Sequence, residues 1–376
     1  MTPVVYHPAY LTYQFGETHP FSPVRQEMLT SLIQALGLPW APTAPAPATD
    51  AALLRVHAAA LLDQVAAASQ GAATAEAKRF GLGTMDVPVF AGMDEAARWL
   101  VGGTLHAAHL VADGPARRVL QLGGGLHHAQ RTLASGFCVY NDLSVAIQAL
   151  RDRGLRVAYI DIDVHHGDGV QALHYADPDV LTISLHESGR YLFPGTGRVH
   201  ELGEGAGHGF SINAPLEPRT GHDSFLAVFE TVVPEALGWF RPDVLVIQCG
   251  ADAHYRDPLA DLILTTHTYE VLFRRLLEVA DEHASGRALF TLGGGYDPDA
   301  AVRVWLILYL LLHEQPLPRD LPEAWYEHWA PQLEDGLSRT LHDARRTFEV
   351  DDAEAIDRHN RQVSQRLMET AVRYWY

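Results

Sequence analysis

The sequence predicts an α/β protein in which a central, mainly parallel sheet lies between two layers of helices. Short β-branched runs alternate along the chain with longer segments of helical periodicity, an order that is typical of a parallel sheet covered on both faces. The runs are also nearly continuous in apolar residues, as expected for strands that are buried on both faces. The four clearest strands are predicted at residues 118–122, 157–162, 244–248 and 288–292.

Helices are predicted between and after these strands. Residues 141–153 begin at Asn141, which suits an N-cap, and end before Gly154, which suits a C-terminal stop. Residues 265–283 and 301–312 show the same helical spacing of apolar positions. These segments would supply the two outer layers.

The 376 residues are expected to form a single domain, with a core at about 5–315 and a C-terminal helical extension at 316–376. Residues 39–49, which are rich in proline and alanine, are interpreted as an exposed loop rather than a domain boundary. Residues 337–376 are interpreted as a charged amphipathic helix packed on the outside, with an oligomer contact as the alternative.

Charge and composition exclude several classes of protein. The chain carries 28 Lys and Arg against 46 Asp and Glu, a formal charge of −18, which argues against nucleic-acid binding. This charge is compatible with a cationic partner such as a lysine-rich protein or a polyamine, although solubility alone is the simpler explanation. The two cysteines, the lack of a signal-like start and a longest apolar run of residues 304–312 predict a cytoplasmic protein that is not inserted in a membrane.

Unusual polar or glycine-rich segments follow all four predicted strands. The first strand runs into His127 and His128, the second into residues 163–168, the third into Asp252 and the fourth, through three glycines, into Tyr296. Open α/β sheets bind ligands at the carboxyl ends of their strands. We therefore expect these segments to converge on one crevice.

Asp161, Asp163 and His165 recur at every second position, so a strand would direct all three side chains to the same face. Buried ionisable groups in a row are unfavourable unless they are paired or bind a cation. Asp163 and His165, joined by Asp252, would supply one nitrogen and two carboxylate ligands and leave a position open, as in catalytic zinc sites. Local capping would explain one such residue, but not all of these segments together.

A water molecule activated by a metal needs a base, and a departing amine needs a proton. His127 and His128 can supply both if carboxylates orient their rings, and Asp161 and Asp168 are the available partners. Tyr296 could donate a hydrogen bond to an oxyanion opposite the metal. These five residues are the expected catalytic set.

Six linked motifs resemble the arginase/deacetylase superfamily, specifically the histone-deacetylase-like proteins and most of all the bacterial acetoin-utilization (AcuC-like) deacetylases. The resemblance runs from about Tyr6 to His313, so it covers most of the chain and implies the arginase/deacetylase fold. The motifs are Gly-Gly-Leu-His-His-Ala at 124–129, Ser-Gly-Phe-Cys at 135–138, Asp-Ile-Asp-Val-His-His-Gly-Asp-Gly at 161–169, Phe-Pro-Gly-Thr-Gly at 193–197, Gly-Ala-Asp at 250–252 and Leu-Gly-Gly-Gly-Tyr at 292–296.

The resemblance implies two kinds of cation. Asp163, His165 and Asp252 correspond to the family's zinc ligands, with ferrous iron as an alternative ion. A structural potassium ion is implied close to the zinc, because an extra cation offsets clustered carboxylates. Its ligands would be Asp161, Ser184 and the carbonyl groups of Asp163, His165 and Leu185.

The same resemblance assigns the remaining roles. His128 corresponds to the general base and acid, paired with Asp168, whereas His127 corresponds to an electrostatic partner, paired with Asp161. Around the substrate, the resemblance implies that Phe137 and Phe193 are aromatic walls for an acyl-lysine stem and that the Gly136 carbonyl group accepts from the amide of that stem. It further implies that Leu259 lies at the rim, that Asp86 anchors the substrate backbone and that Arg25 lies beside the released acetate.

The implied activity is a zinc-dependent hydrolase that removes acetyl groups from N-acetyl-lysine side chains of proteins and releases acetate. An acetylpolyamine amidohydrolase, or an enzyme for another small N-acetyl amine, is the alternative and differs only in substrate. A binding protein for acyl-lysine without turnover would have lost a metal ligand or Tyr296, and this sequence retains them. The expected partners are an acetylated protein or peptide, with no nucleic acid and no membrane.

Overall fold

The computed structural model describes residues 2–71 and 74–375. Within these ranges, seven strands form a single sheet. In chain order they are β1 (Val4–Val5), β2 (Arg118–Gln121), β3 (Val157–Asp161), β4 (Val180–Glu187), β5 (Ser211–Leu216), β6 (Val244–Gln248) and β7 (Ala288–Thr291). The order across the sheet is β1-β2-β7-β6-β3-β4-β5, and every neighbouring pair is parallel.

The same described ranges contain twelve α-helices. They are α1 (Val24–Ala35), α2 (Asp50–Leu53), α3 (Ala59–Ala68), α4 (Ala75–Arg79), α5 (Met93–Asp113), α6 (Asp142–Arg151), α7 (Asp168–His174), α8 (His222–Phe240), α9 (Thr266–Ala284), α10 (Pro298–Leu312), α11 (Glu323–Trp329) and α12 (Ala353–Trp375). Short 3-10 helices lie at Pro8–Thr12, Gly205–Gly207 and Ala330–Gln332. Among the helices described, none is both long and apolar enough to cross a bilayer.

Alternate residues of each strand face opposite helix layers. Ala158 and Ile160 of β3 pack in a core that includes residues of α1, α8, α9 and α10, whereas Val157 and Tyr159 pack with residues of α5 and α6. Burial on both faces explains why the strand segments are nearly continuous in apolar residues. The predicted α/β fold, a parallel sheet between two helix layers, is therefore confirmed.

The four predicted strands lie within one residue of their predicted limits. Of the additional strands, β1 forms one edge of the sheet, β5 forms the other edge, and β4 lies between β3 and β5. β1 has only two residues, and β4 carries Thr182, Ser184 and His186 at alternate positions, which weakens the apolar pattern although all three are buried. The helix predicted at 141–153 is α6, and its N-cap Asn141 accepts from the Ser144 N–H at 2.8 Å.

The first part of the C-terminal segment is not helical, which differs from the prediction. The sequence predicts a helix over residues 337–376, but α12 begins only at Ala353, and Tyr376 lies outside the described residues. Before α12 the chain turns inward, because the buried Asp343 accepts from the Thr266 N–H at 2.8 Å. α12 itself packs against α8 and β5, so this helix does cover the outside of the molecule.

A buried ion cluster ties this inward segment to α10. Arg303 is 1% exposed, and its guanidinium donates to Asp299 at 2.8 Å and to Asp343 at 2.9 Å. Although burial opposes it, the hydrogen bond from His254 and the charge of Arg303 hold the pKa of the Asp343 carboxyl well below its usual range. The cluster is favourable only as a complete set, because a buried charge without its partner is strongly destabilising.

Replacement of Arg303 by methionine should destabilise the protein. The substitution removes the cation that Asp299 and Asp343 share, and such a loss lowers the free energy of unfolding by about 3–5 kcal/mol. Urea unfolding followed by circular dichroism measures the change. Arg319→Met is the matched control, since the Arg319 side chain is 90% exposed, and it should change the free energy by less than about 0.5 kcal/mol. Equal unfolding midpoints for the two variants would contradict the role of the cluster.

Candidate active site

The strands that precede the four unusual segments, β2, β7, β6 and β3, are neighbours in the middle of the sheet. All of them are parallel, so the segments that follow them leave the sheet at the same edge. The expected convergence is therefore observed, and the reactive side chains lie in one buried cluster.

Asp163, His165 and Asp252 form a compact group of ligand atoms. One oxygen or nitrogen atom of each residue lies within 4.8 Å of those of the other two. His165 Nδ1 is 3.1 Å from Asp163 Oδ1 and 3.1 Å from Asp252 Oδ2. All three side chains are buried. The segments after β3 and β6 thus bring together the residues predicted as metal ligands.

This group fits a divalent metal ion. Burial and the neighbouring Asp163 charge raise the pKa of Asp252 above its usual range, so a cation between the carboxylates would relieve their repulsion. Gln248 Nε2 and the Gly294 N–H donate to Asp163 Oδ2 at 2.7 and 2.9 Å and orient it. Position 294 requires glycine, since a Cβ there would lie 1.9 Å from Asp252 Oδ2. One nitrogen and two oxygens form a donor set that catalytic zinc uses.

A second group, His267, Glu270 and His342, also places ligand atoms within 4.8 Å of one another. Its two imidazole rings are stacked, with centroids 4.5 Å apart and an interplanar angle of 8°. Nitrogen lone pairs lie in the ring plane, so rings stacked in this way cannot both point at one ion. Glu270 also accepts from Arg274 at 2.9 Å. We assign no metal to this second group.

The paired histidines each contact the aspartate expected from the sequence. His127 Nδ1 lies 2.7 Å from Asp161 Oδ2, and His128 Nδ1 lies 2.7 Å from Asp168 Oδ1. The two Nε2 atoms face each other at 2.9 Å. If both Nδ1 atoms carry protons for the carboxylates, one proton lies between the Nε2 atoms, so one ring is an imidazolium and the other is neutral.

The surroundings assign the positive charge to His127. Although burial opposes it, the Asp161 and Asp163 carboxylates raise the pKa of His127 to about 9. Burial and the neighbouring His127 charge lower the pKa of His128 to about 4. His128 is therefore the neutral ring of the pair, and its Nε2 atom is a hydrogen-bond acceptor.

Asp142 positions the loop before the histidines, and sequence reasoning missed it. Its buried carboxylate accepts from the Gly125 N–H at 3.0 Å and from the Leu126 N–H at 2.7 Å. Asp142 is also the first residue of α6, where an acidic residue looks like an ordinary preference for a helix start. Its contact with the loop therefore has no separate signal in the sequence.

Tyr296 lies beside the ligand group, with its ring centroid 6.3 Å from that of His165. Asp257 Oδ2 accepts from the Tyr296 N–H at 2.6 Å, so a second carboxylate that the sequence analysis did not identify holds this backbone. Burial and the nearby Asp252 charge raise the pKa of Tyr296 well above its usual range. The phenol therefore stays protonated and can donate a hydrogen bond.

Arg25, to which the family resemblance assigns the released acetate, has its Cζ atom 5.6 Å from the Tyr296 ring centroid. Its buried guanidinium donates to the Gly295 carbonyl group. It also lies 4.7 Å from the Phe21 ring centroid and 5.3 Å from that of Trp305. Cation–π contacts of this kind stabilise a buried guanidinium that pairs with no carboxylate among the residues described. Arg25 thus places a positive charge next to Tyr296.

Aromatic rings flank the approach to this group. The Phe193 ring centroid is 5.0 Å from that of His128, and Phe193 is 45% exposed. The Phe137 ring centroid is 5.6 Å from that of Tyr296, and the two ring planes make an angle of 82°. One ring therefore lies on the histidine side of the group and the other on the tyrosine side, and we call the approach between them the channel.

The other residues predicted at the channel have defined backbone contacts. Asp86 is half-buried, and its Oδ2 atom accepts from the Gly136 N–H at 2.7 Å. The Gly136 carbonyl group accepts from the Cys138 thiol at 3.0 Å. Leu259 donates its N–H to Asp257 at 3.0 Å, so the carboxylate that holds Tyr296 also holds Leu259.

Among the residues predicted to bind a monovalent cation, Asp163 and His165 follow β3, and the others lie on the paired strands β3 and β4. Ser184 of β4 lies in register with Asp161 of β3, and Leu185 follows it. The Asp161 carboxylate also accepts from the Tyr159 hydroxyl group, and the Ser184 hydroxyl is 2.8 Å from His186 Nδ1. Binding of potassium at this position stays a prediction.

Comparison with known proteins identifies the family. Residues 19–312 match the family described as "Histone deacetylase domain". The acetoin utilization protein AcuC of Bacillus subtilis (strain 168) is 44% identical over 333 residues, which cover 87% of this chain and 86% of that protein. The acetoin utilization protein AcuC of Staphylococcus xylosus is 36% identical over 375 residues, which cover 98% of this chain and 97% of that protein.

Two solved structures are similar over nearly the whole chain. A histone deacetylase (HDAC) homologue complexed with SAHA has a TM-score of 0.87 and 27% identity, covering 96% of this chain and 99% of that chain. An HDAC homologue from Aquifex aeolicus has a TM-score of 0.86, also at 27% identity and with the same coverage. The chain therefore belongs to the histone deacetylase family, in its acetoin-utilization (AcuC-like) branch, and is a deacetylase, a hydrolase that removes acetyl groups.

Proposed function

We propose that this deacetylase acts on N-acetyl-lysine side chains of proteins, with a zinc ion held by Asp163, His165 and Asp252. One observation carries the proposal: the buried ligand group lies beside two histidines that are each bound to a carboxylate. A protein that only binds acyl-lysine has no need for a neutral and a charged histidine placed together. We also propose the cytoplasm as its compartment, where its two buried cysteines would stay reduced.

The histidine pair supplies the proton transfers of hydrolysis. A zinc ion held by Asp163, His165 and Asp252 would supply Lewis-acid chemistry, which polarises a carbonyl group and acidifies a water molecule. His128 Nε2 exchanges its contact with His127 for one with the attacking water and accepts its proton, while Asp168 holds the ring through Nδ1. His128 then returns the proton to the lysine nitrogen as acetate leaves. His127, paired with Asp161, stabilises the negative charge that develops nearby.

The remaining residues bind the substrate and the oxyanion. Tyr296 donates to the developing oxyanion, since its phenol stays protonated. Phe137 and Phe193 enclose the methylene stem of the lysine, which is an apolar segment. The other proposed contacts are the Gly136 carbonyl with the substrate amide, Asp86 with the substrate backbone, Leu259 with the rim of the channel and Arg25 with the released acetate.

Turnover is expected to require the metal and to favour peptides. A panel of acetyl-lysine peptides and acetylated polyamines is assayed for acetate release before chelation, after it and after addition of zinc. Chelation should abolish release, and zinc should restore it. Asp252→Asn removes one charged ligand and should lower the zinc content measured by elemental analysis. Undiminished activity after complete removal of divalent ions would disprove the metal role, and faster release from the polyamines would favour a small-amine substrate.

Replacement of Tyr296 by phenylalanine should preserve folding and zinc content but lower kcat by about 10²–10³-fold, because one donor to the oxyanion is lost. Steady-state kinetics on an acetyl-lysine peptide measures the effect. Tyr326→Phe is the matched control, because Tyr326 lies on α11, away from the ligand group. Wild-type turnover by the Tyr296 variant would exclude the phenol as oxyanion donor.

His128→Ala should lower kcat by about 10²–10⁴-fold, because the base is lost.

Since burial and His127 lower the pKa of His128, the wild-type enzyme should keep its activity as the pH falls below 6.5. Asp168→Asn removes a carboxylate that raises this pKa, so the acid limb should move to lower pH and the rate should fall by about 10–100-fold.

A pH profile of kcat/KM checks these expectations. His328→Ala, at an exposed position of α11, is the control and should leave the profile unchanged. An acid limb that moves to higher pH in the Asp168 variant would contradict the assignment of His128 as base.

A further inference from the structure

A cleft of about 390 Å³ lies on the outer side of the loop that carries Phe193. It is bounded by this loop, residues 188–200, and by α12. We call it the arginine cleft because most of its charged lining is guanidinium. Its basic residues are Arg190, Arg198, His200, His359 and Arg366.

No acidic residue lines the arginine cleft within the part of the chain that the structure describes, although the whole chain carries a formal charge of −18. Arg198 and Arg366 are exposed, and neither has a carboxylate within 4.0 Å among the described residues. Arg190 has only a weak contact with Glu217, at 3.9 Å. Two guanidinium groups therefore face the cleft without an internal counter-charge.

The carboxylates that border the arginine cleft are already engaged. Glu217 Oε1 lies 3.2 Å from His359 Nε2 and 3.9 Å from the Arg190 guanidinium. Glu201 Oε2 accepts from the Gly197 N–H and from Gln171 Nε2, both at 3.0 Å, so it is directed into the protein. The cleft thus keeps a positive potential on the surface of an acidic molecule, and such local potential attracts anionic groups.

The arginine cleft is close to the channel. Phe193, on the channel side of the loop, and Thr196, in the cleft, are three residues apart, so their Cα atoms are separated by at most about 11 Å. Thr196 Oγ1 also lies 2.8 Å from the Nδ1 atom of His166, the residue after His165. An extended peptide advances about 3.3 Å per residue. A substrate with its acetyl-lysine beside Phe193 can therefore place side chains about two to four residues away over the cleft.

We propose that the arginine cleft binds carboxylate side chains of the substrate, so that the enzyme prefers acetyl-lysines with Asp or Glu about two to four residues away. The inference rests on the proposed function and specifies the substrate class of that same site. Guanidinium groups suit this role because they bind carboxylates through two parallel hydrogen bonds. Acetylpolyamines carry further cationic amines, which the cleft repels.

The test compares two peptides that differ only in the residues two to four positions from the acetyl-lysine, which are Glu in one and Gln in the other. With the zinc-loaded enzyme, kcat/KM should be about threefold to tenfold higher for the Glu peptide at low salt, chiefly through KM. The ratio should shrink at high salt, because the contacts are exposed and screened.

Two double variants separate the cleft from general electrostatics. R198Q/R366Q should bring the Glu-to-Gln ratio close to one. R358Q/R361Q removes the same number of charges at exposed positions of α12 that do not line the cleft, and it should keep the wild-type ratio. Circular dichroism checks that both variants are folded.

The outcomes distinguish this inference from the proposed function. A wild-type ratio of one, a ratio that R198Q/R366Q does not change, or an equal loss in both double variants would overturn the arginine cleft as a carboxylate site. In each of these cases, turnover of the Gln peptide would still support the proposed function. Absence of turnover with both peptides by zinc-loaded protein would overturn the proposed function and this inference with it.

Discussion

Asp163 and Asp252 direct their carboxylates into the same buried space, and the repulsion between them is the interaction on which the site depends. Two negative charges cannot stay together in a low-dielectric interior without a cation or a proton. The surrounding contacts hold the carboxylates as ligands, since Gln248 and the Gly294 N–H both donate to Asp163. The geometry therefore fits a cation, and the zinc ion that we propose would satisfy both the charge and the donor set.

The same reasoning extends to the layer around the ligands. His127 and His128 have the same residue type, and each has a carboxylate partner at 2.7 Å, yet their pKa values move in opposite directions. The difference arises because His127 lies close to Asp163 as well as Asp161, and its charge then opposes a second charge on His128. Environment rather than residue identity divides the two roles. This division suits a deacetylase, which needs a base that is neutral near pH 7.

Net charge and local charge point to different partners for this protein. The formal charge of −18 suggests a cationic partner, but the arginine cleft beside the channel is lined by arginines and histidines and by no acidic residue of the described chain. Exposed charges more than about 10 Å apart are largely screened at physiological salt. In the proposal made here, substrate recognition depends on the few groups at the channel mouth and not on the sum over the whole surface.

Local patterns in the sequence determined the fold class, the four central strands and the residue types at their carboxyl ends. These features depend on periodicity and on short segments that follow strands, so they are visible without coordinates. Strands β1 and β4 were not predicted, because β1 has only two residues and β4 has polar side chains at alternate positions, so neither gives a clear apolar signal. The supporting carboxylates Asp142 and Asp257 were not predicted either, because each is distant along the chain from the backbone N–H group that donates to it.

By itself, then, the sequence determined which groups are available for chemistry: two histidines in a row, alternating acids after one strand, and a tyrosine after three glycines. Only the tertiary structure decided which of them meet, which histidine carries the charge, and where an arginine-lined cleft adjoins the channel. The physical reason is that pKa values and local potentials depend on distances and burial between residues far apart in the chain. Arg198 and Arg366 show this directly, since 168 positions separate two side chains that line one cleft.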